Sequence, residues 1–153
     1  MICKAFRSAF VFVVALLALS SVTVGAEEPV GILKIEITGL KDSTGNVHIG
    51  VYDSEETWLG DETVATRVVN IAEALNGEVV ETEMQLPLGE YAFTLFYDAD
   101  GDGEMKTNFI GMPKEPIAMS NNAKAKFGPP KFEDAVFNLG LEPTIQRVII
   151  TAL

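Results

Sequence analysis

Asp98, Asp100 and Asp102 alternate along Asp98-Ala99-Asp100-Gly101-Asp102-Gly103-Glu104. Three carboxylates at this spacing can curl around one centre, and D-x-D-x-D-G is the first half of an EF-hand-type calcium loop. Ca2+ is a hard cation that takes roughly six to eight oxygens at about 2.3–2.6 Å. Gly103 permits the sharp turn, and the carbonyl of Glu104 offers a fourth oxygen. Without a cation, three aspartates in one turn repel one another. The second half of the pattern departs from the loop: Lys106 stands ninth, and Phe109 stands twelfth, where a bidentate glutamate belongs. Asn108 and Glu115 are the donors that could close the shell from further along. The expected site is therefore Ca2+ on Asp98, Asp100, Asp102, Glu104, Asn108 and Glu115, at the weak affinity (~10⁻⁴–10⁻³ M) of extracellular modules. The competing expectation is a solvated turn in which Asp and Gly serve only as turn formers, since Lys106 blunts the local field.

Other chemistries fail on inventory. His48 is the only histidine, and the only cysteine, Cys3, lies at the extreme N-terminus. Zinc sites and Cys-His catalysis therefore lack ligands and nucleophile. His48 sits mid-strand on the face opposite Val47 and Ile49, where a surface role is expected rather than that of a base. A Ser-His-Asp triad would have to use it, and no Gly-x-Ser-x-Gly elbow is present. Gly101 and Gly103 are too few, and too acidic in setting, to cradle a phosphate. A hydrolase working through two carboxylates needs only a pair of acids at roughly 5–10 Å across a cleft, so 22 acidic residues leave that alternative open.

The N-terminus reads as a secretory signal over residues 1–26. Lys4 and Arg7 precede an apolar run from Ala9 to Leu19, and Val24-Gly25-Ala26 fits the small-x-small rule with cleavage before Glu27. The run falls short of the ~20 residues of a membrane span. Cys3 precedes it instead of standing at the cleavage site, which argues against a lipid anchor. Export to the periplasm or beyond is the expected location, with no membrane insertion after cleavage. Residues 27–153 are then one domain, expected to be a monomer, that must fold without a disulfide. The chain carries 11 basic and 22 acidic residues, a net charge of −11, and loss of Lys4 and Arg7 makes it more negative still. Such a surface repels nucleic acid and anionic lipid and attracts cations.

The elements that would position the acidic loop are strands. Leu33, Ile35 and Ile37 alternate with Lys34, Glu36 and Thr38, and Val47, Ile49 and Val51 alternate with His48, Gly50 and Tyr52. With the turn cluster at 41–46, these predict a hairpin over about 31–38 and 46–52. Asp53 and Glu56 are spaced as a capping box, which predicts one helical turn with Trp58 and Leu59 closing an end of the core. A third strand is expected over 64–71. A fourth follows the Asn76-Gly77 turn, with Val80, Thr82, Met84 and Leu86 on one face. Tyr91, Phe93, Leu95 and Tyr97 line the fifth, and Gly89-Glu90-Tyr91 is placed to form a tyrosine corner. Periodicity stops over residues 98–134 and resumes at 136–139 and 145–153. Glu27 to Val30 are expected to be disordered. The expected fold is an all-β, immunoglobulin-like or transthyretin-like antiparallel β-sandwich of about seven strands, with a long loop between the fifth and sixth. Long irregular loops in compact domains are often functional, so the 98–134 loop is the expected contact surface for a protein or glycan ligand.

The run from Leu86 to Leu139 resembles the bacterial family called domain of unknown function 2141. The resemblance rests on Leu88-Gly89-Glu90-Tyr91-Ala92, Asp98 to Gly103, Asn108 to Glu115, Ser120-Asn121-Asn122 and Gly128 to Ala135, with Val51-Tyr52-Asp53-Ser54 earlier. It implies an exported β-sandwich and no particular reaction. Lys106 stands where the family tends to carry an acid, and Pro116-Ile117-Ala118-Met119 replaces a stretch usually rich in glycine and aromatics. The functional expectation is a non-catalytic binding or envelope-associated module, and its alternative is an accessory envelope protein without a ligand.

Overall fold

The computed structural model describes residues 28–124 and 128–151. The expected signal over 1–26, with Cys3, and Phe127 of the long loop lie outside the described residues. The elements run β1 (Val30–Thr38), β2 (Asn46–Tyr52), β3 (Ala65–Asn70), α1 (Ile71–Ala74), β4 (Leu75–Asn76), β5 (Val79–Pro87) and β6 (Gly89–Asp98). They continue through β7 (Ile117–Met119), a 3-10 turn (Ser120–Asn122), α2 (Phe132–Ala135), β8 (Phe137–Leu139) and β9 (Thr144–Ile149). None of the helices among the described residues is long and apolar enough to cross a membrane.

Two sheets form the sandwich, β4-β5-β1-β9 and β3-β2-β6-β7, with β8 pairing on β6. Alternation decides which face each strand buries. Leu33, Ile35 and Ile37 of β1 have no exposed surface and meet Val47, Ile49, Val51, Phe93 and Leu95 of the other sheet in one core cluster. Each such aliphatic or aromatic side chain contributes roughly 1.5–3 kcal/mol on full burial. β6 is the spine of the second sheet. Its outer half pairs with β7 (Thr94↔Met119, Phe96↔Ile117) and its first residues with β8 (Gly89↔Leu139, Tyr91↔Phe137), so β7 and β8 lie end to end along one edge.

The all-β sandwich stands, with differences from the expected layout. The expected hairpin over 31–38 and 46–52 does not form: β1 pairs with β5 and β9 and β2 with β3 and β6, so the two strands lie in opposite sheets. Nine strands replace about seven, because β4 and β7 are two and three residues long and too short to show a period. The 98–134 excursion is therefore interrupted by β7, the 3-10 turn and α2. β1 and β9 run parallel (Leu33↔Thr144, Ile37↔Val148), whereas the expected pairing was antiparallel throughout. The chain reaches β9 from β8 in the opposite sheet, and alternation specifies the buried face of a strand but not its direction. Of the stretch expected to be disordered, Glu27 lies outside the described residues, and Val30 opens β1 and pairs with Pro87 of β5.

The expected helical turn at Asp53–Glu56 is instead a run of hydrogen-bonded turns. Ser54 rather than Asp53 holds it, through a 3.0 Å bond between Ser54 Oγ and Thr57 Oγ1. Trp58 is half-buried and packs outside the main core cluster instead of closing an end of it. Its Nε1–H donates to the Pro130 carbonyl (2.8 Å), and its ring meets Tyr52 and Phe132 edge-on at 5.2 and 5.9 Å. Leu59 does not join it: its backbone turns to φ 63° and its side chain is exposed. Tyr91 forms the tyrosine corner, with its phenol donating to the Pro87 carbonyl at 3.1 Å.

The two flanks of the sandwich differ. On the β7–β9 side Ile117 and Thr151 exchange two backbone bonds of 3.0 Å, joining the sheets. On the β3–β5 side Arg67 donates to Thr82 Oγ1 (2.8 Å) across an open cleft of about 340 Å3.

Candidate functional site

Asp98 ends β6 and lies opposite Asn46 at the start of β2. It is fully buried, and both its oxygens are engaged. Oδ1 accepts the Gly101 N–H at 2.7 Å, and Oδ2 accepts the Gly103 N–H at 3.0 Å. Oδ2 also meets His48 Nε2 at 3.1 Å. A carboxylate only accepts, so His48 carries its proton on Nε2. Gly101 and Gly103 can turn their N–H groups inward because both adopt a left-handed backbone, φ 76° and 78°, that other residues resist. Burial opposes ionisation of Asp98, but the Gly103 and Gly101 N–H groups and the His48 imidazole outweigh it and hold the carboxyl below its ordinary value.

His48 is a residue that sequence reasoning undervalued. It does lie on the outward face of β2, but the acidic loop folds back over it. Its ring stacks on Phe96 of β6, with centroids 4.8 Å apart and planes 11° from parallel. Among the described residues, its hydrogen-bond partner is Asp98 alone. Only the register His48↔Phe96 on neighbouring strands reveals this pairing, since the two partners are 50 residues apart in sequence.

Asp98, Asp100 and Asp102 do converge: one carboxylate oxygen of each lies within 4.8 Å of the others. The centre already has a cation beside it. The Lys106 ammonium is paired with Asp100 and, at 2.9 Å, with Asp102. Asp100 and Asp102 raise the Lys106 pKa well above the ordinary lysine value. Asp102 is lowered in turn, by the Glu104 N–H at 3.0 Å on its Oδ1 and by Lys106.

The other three expected ligands turn elsewhere. Glu104 is exposed and meets the cluster through its backbone N–H. Asn108 Oδ1 accepts the N–H groups of Ile110 and Met112, both at 3.0 Å, and so builds its own turn. Glu115 Oε2 accepts the Lys106 N–H at 3.1 Å. The donor set offered to a metal is thus three carboxylates, one of them saturated by N–H donors, with a lysine in competition. A Ca2+ ion would have to displace Lys106 and complete its shell largely with water.

The carboxylate-pair alternative has a cleft available. The opening between β3 and β5 is lined by Glu73, Glu81 and Glu83 around Arg67 and Thr82. All three glutamates are exposed, and Glu81 accepts from Asn76 Nδ2 at 3.1 Å. Water is not excluded there, which removes the main means of setting two carboxyls to different tasks.

Compared with known proteins, residues 35–146 match the model of a family described as an uncharacterized protein conserved in bacteria (DUF2141). No curated protein and no solved structure matches the chain.

Proposed function

The chain belongs to the DUF2141 family, and on that premise we propose that it is an exported, non-catalytic binding module. Its acidic loop is a cation-organised contact surface. The observation that carries this reading is the convergence of Asp98, Asp100 and Asp102 at the rim of the sandwich with the Lys106 ammonium among them. The loop hangs from the Asp98 anchor and is drawn together by a positive charge of its own. Ca2+ is a weak competitor for that charge. The non-catalytic reading is supported by His48, whose ring is stacked on Phe96 and bonded to Asp98 rather than to a hydroxyl or thiol.

Thermal melts of residues 27–153 with Ca2+ and with EDTA, for the native chain and for Lys106→Met, test the cation. Removing the ammonium leaves Asp100 and Asp102 unpaired, so Lys106→Met is expected to melt lower in EDTA. It should regain stability with Ca2+ at about 10 mM, while the native chain responds less. At 100 times the dissociation constant, one bound ion adds about 2.7 kcal/mol. If Ca2+ moves neither protein, the metal drops out of the reading and Lys106 alone organises the loop.

A further inference from the structure

Beyond the acidic cluster the loop projects a second, differently built feature. Residues 106–114 form a small hairpin-like arm: Thr107 bridges Pro113, and the Lys114 N–H donates to the Lys106 carbonyl at 2.8 Å. At its tip the Asn108 N–H donates to the Met112 carbonyl (2.8 Å) and the Gly111 N–H to the Asn108 carbonyl (3.0 Å). The Asn108 side chain takes the N–H groups of Ile110 and Met112. The backbone of the tip is thus set by its own hydrogen bonds, without help from the core. Among the described residues its apolar side chains are left exposed. Phe109 is 99 % exposed, Ile110 65 % and Met112 44 %. Elsewhere the phenylalanines at 93, 96, 132 and 137 are buried or half-buried. Burying a phenylalanine is worth roughly 1.5–3 kcal/mol, and the tip forgoes it. An apolar ring held out on a pre-set turn is what a binding anchor needs, because little entropy remains to be lost on docking.

The charge around the tip selects its occupant. Between residues 98 and 116 the loop carries Asp98, Asp100, Asp102, Glu104 and Glu115 against Lys106 and Lys114, on a chain of net charge −11. An anionic bilayer is repelled, and so is a second copy of the chain. We propose that the Phe109-Ile110-Gly111-Met112 tip is a plug that seats in an apolar pocket of a partner protein whose pocket rim is basic. This rests on the reading of the chain as a binding module and not on any bound cation.

The test is photocrosslinking in the producing bacterium with the full chain carrying Phe109→p-benzoylphenylalanine, and Glu142→p-benzoylphenylalanine as a control on an exposed connection. The expected result is an adduct, absent from the control, to one protein. Its crosslinked peptide should combine apolar residues with flanking lysine or arginine. Adding Ile110→Asp should reduce the adduct at least about tenfold, a loss of roughly 1.4 kcal/mol, with the melting temperature unchanged because Ile110 makes no core contact. Four outcomes would overturn the proposal: adducts to lipid, glycan or a second copy; a crosslinked peptide without basic neighbours; a yield that Ile110→Asp does not move; or no adduct above the control. The Ca2+ melts are read separately, so failure of the metal and failure of the plug are distinguishable.

Discussion

Asp98 shows how one residue can serve two ends at once. Its position at the end of β6 buries it, and the turn of the chain at Gly101 and Gly103 returns two N–H donors to its carboxylate. Replacing Asp98 by Asn keeps the shape but turns an NH2 group toward one set of donors. Leaving a buried donor unmatched costs about 1–3 kcal/mol, so Asp98→Asn should lower stability by that amount in urea denaturation at pH 7. The pH dependence follows from the same geometry. The folded carboxyl is depressed below its ordinary value. Its contribution is therefore present above the unfolded carboxylate pKa of about 4 and is lost as pH falls through the lower folded value. The stability gap between the native chain and Asp98→Asn should narrow when measured at pH 3 and below. A gap constant from pH 7 to pH 2 would show that the charge on Asp98 contributes nothing. The D-x-D-x-D-G spacing made the triad legible, and Lys106 was visible as a departure from the pattern. The bond from His48 was not, because strand register and not sequence spacing brings it to Asp98.

At the scale of elements, the Ser-Asn-Asn run explains how β7, β8 and α2 are tied into the sandwich. Ser120 is fully buried; its Oγ accepts the Phe93 N–H at 3.0 Å and donates to the Ala135 carbonyl at 2.7 Å. It fills the break on the edge of β6 between the partners β7 and β8. Asn121 and Asn122 both take a left-handed backbone, φ 57° and 52°, a conformation that asparagine tolerates better than most residues. That turn aims their amides across to the other sheet. Asn121 exchanges bonds with the half of Gln146 that faces it, its N–H to Gln146 Oε1 at 2.9 Å and Gln146 Nε2 to its Oδ1 at 3.1 Å. Asn122 bonds the Arg147 carbonyl and the Ile149 N–H, both at 2.8 Å, as a neighbouring strand would on the edge of β9. Ser120→Ala strands a buried N–H and should cost about 1–3 kcal/mol. Asn122→Ala exposes β9 groups that water can satisfy and should cost only about 0.5–1.5 kcal/mol. Equilibrium denaturation of the two variants checks the order, and a larger loss for Asn122→Ala would mean that the edge of β9 is sealed more tightly than its exposure indicates. The residues of this motif were legible. Their role was not, since a three-residue strand and a turn leave no period to read.

The whole molecule is a sandwich laced along one flank and open along the other. Ile117, Thr151 and the two asparagines close the β7–β9 side, and the β3–β5 side carries Arg67 pointing inward on an edge strand. An inward charge of this kind discourages pairing with another sheet edge. The net charge of −11 works in the same direction, opposing the approach of a second copy. The proposed export is tested at this scale as well. Expression of the full chain in a bacterium, followed by N-terminal sequencing of the soluble envelope fraction, is expected to return a mature protein beginning at Glu27. Recovery of an intact Met1 terminus would remove export from the proposed function.

Sequence by itself determined the all-β class, the buried faces of the long strands and the place of the acidic turn. These follow from local rules: a period of two along one strand, and glycines among aspartates. Only the folded chain shows that β9 joins β1 in parallel, that His48 reaches Asp98, and that Asn108 and Glu115 turn away from the triad. The first two depend on which distant segment arrives beside a residue, and the third on how the turns between 104 and 115 aim side chains that are near in sequence. Side-chain alternation constrains the face that a strand presents, but not its neighbour or its direction.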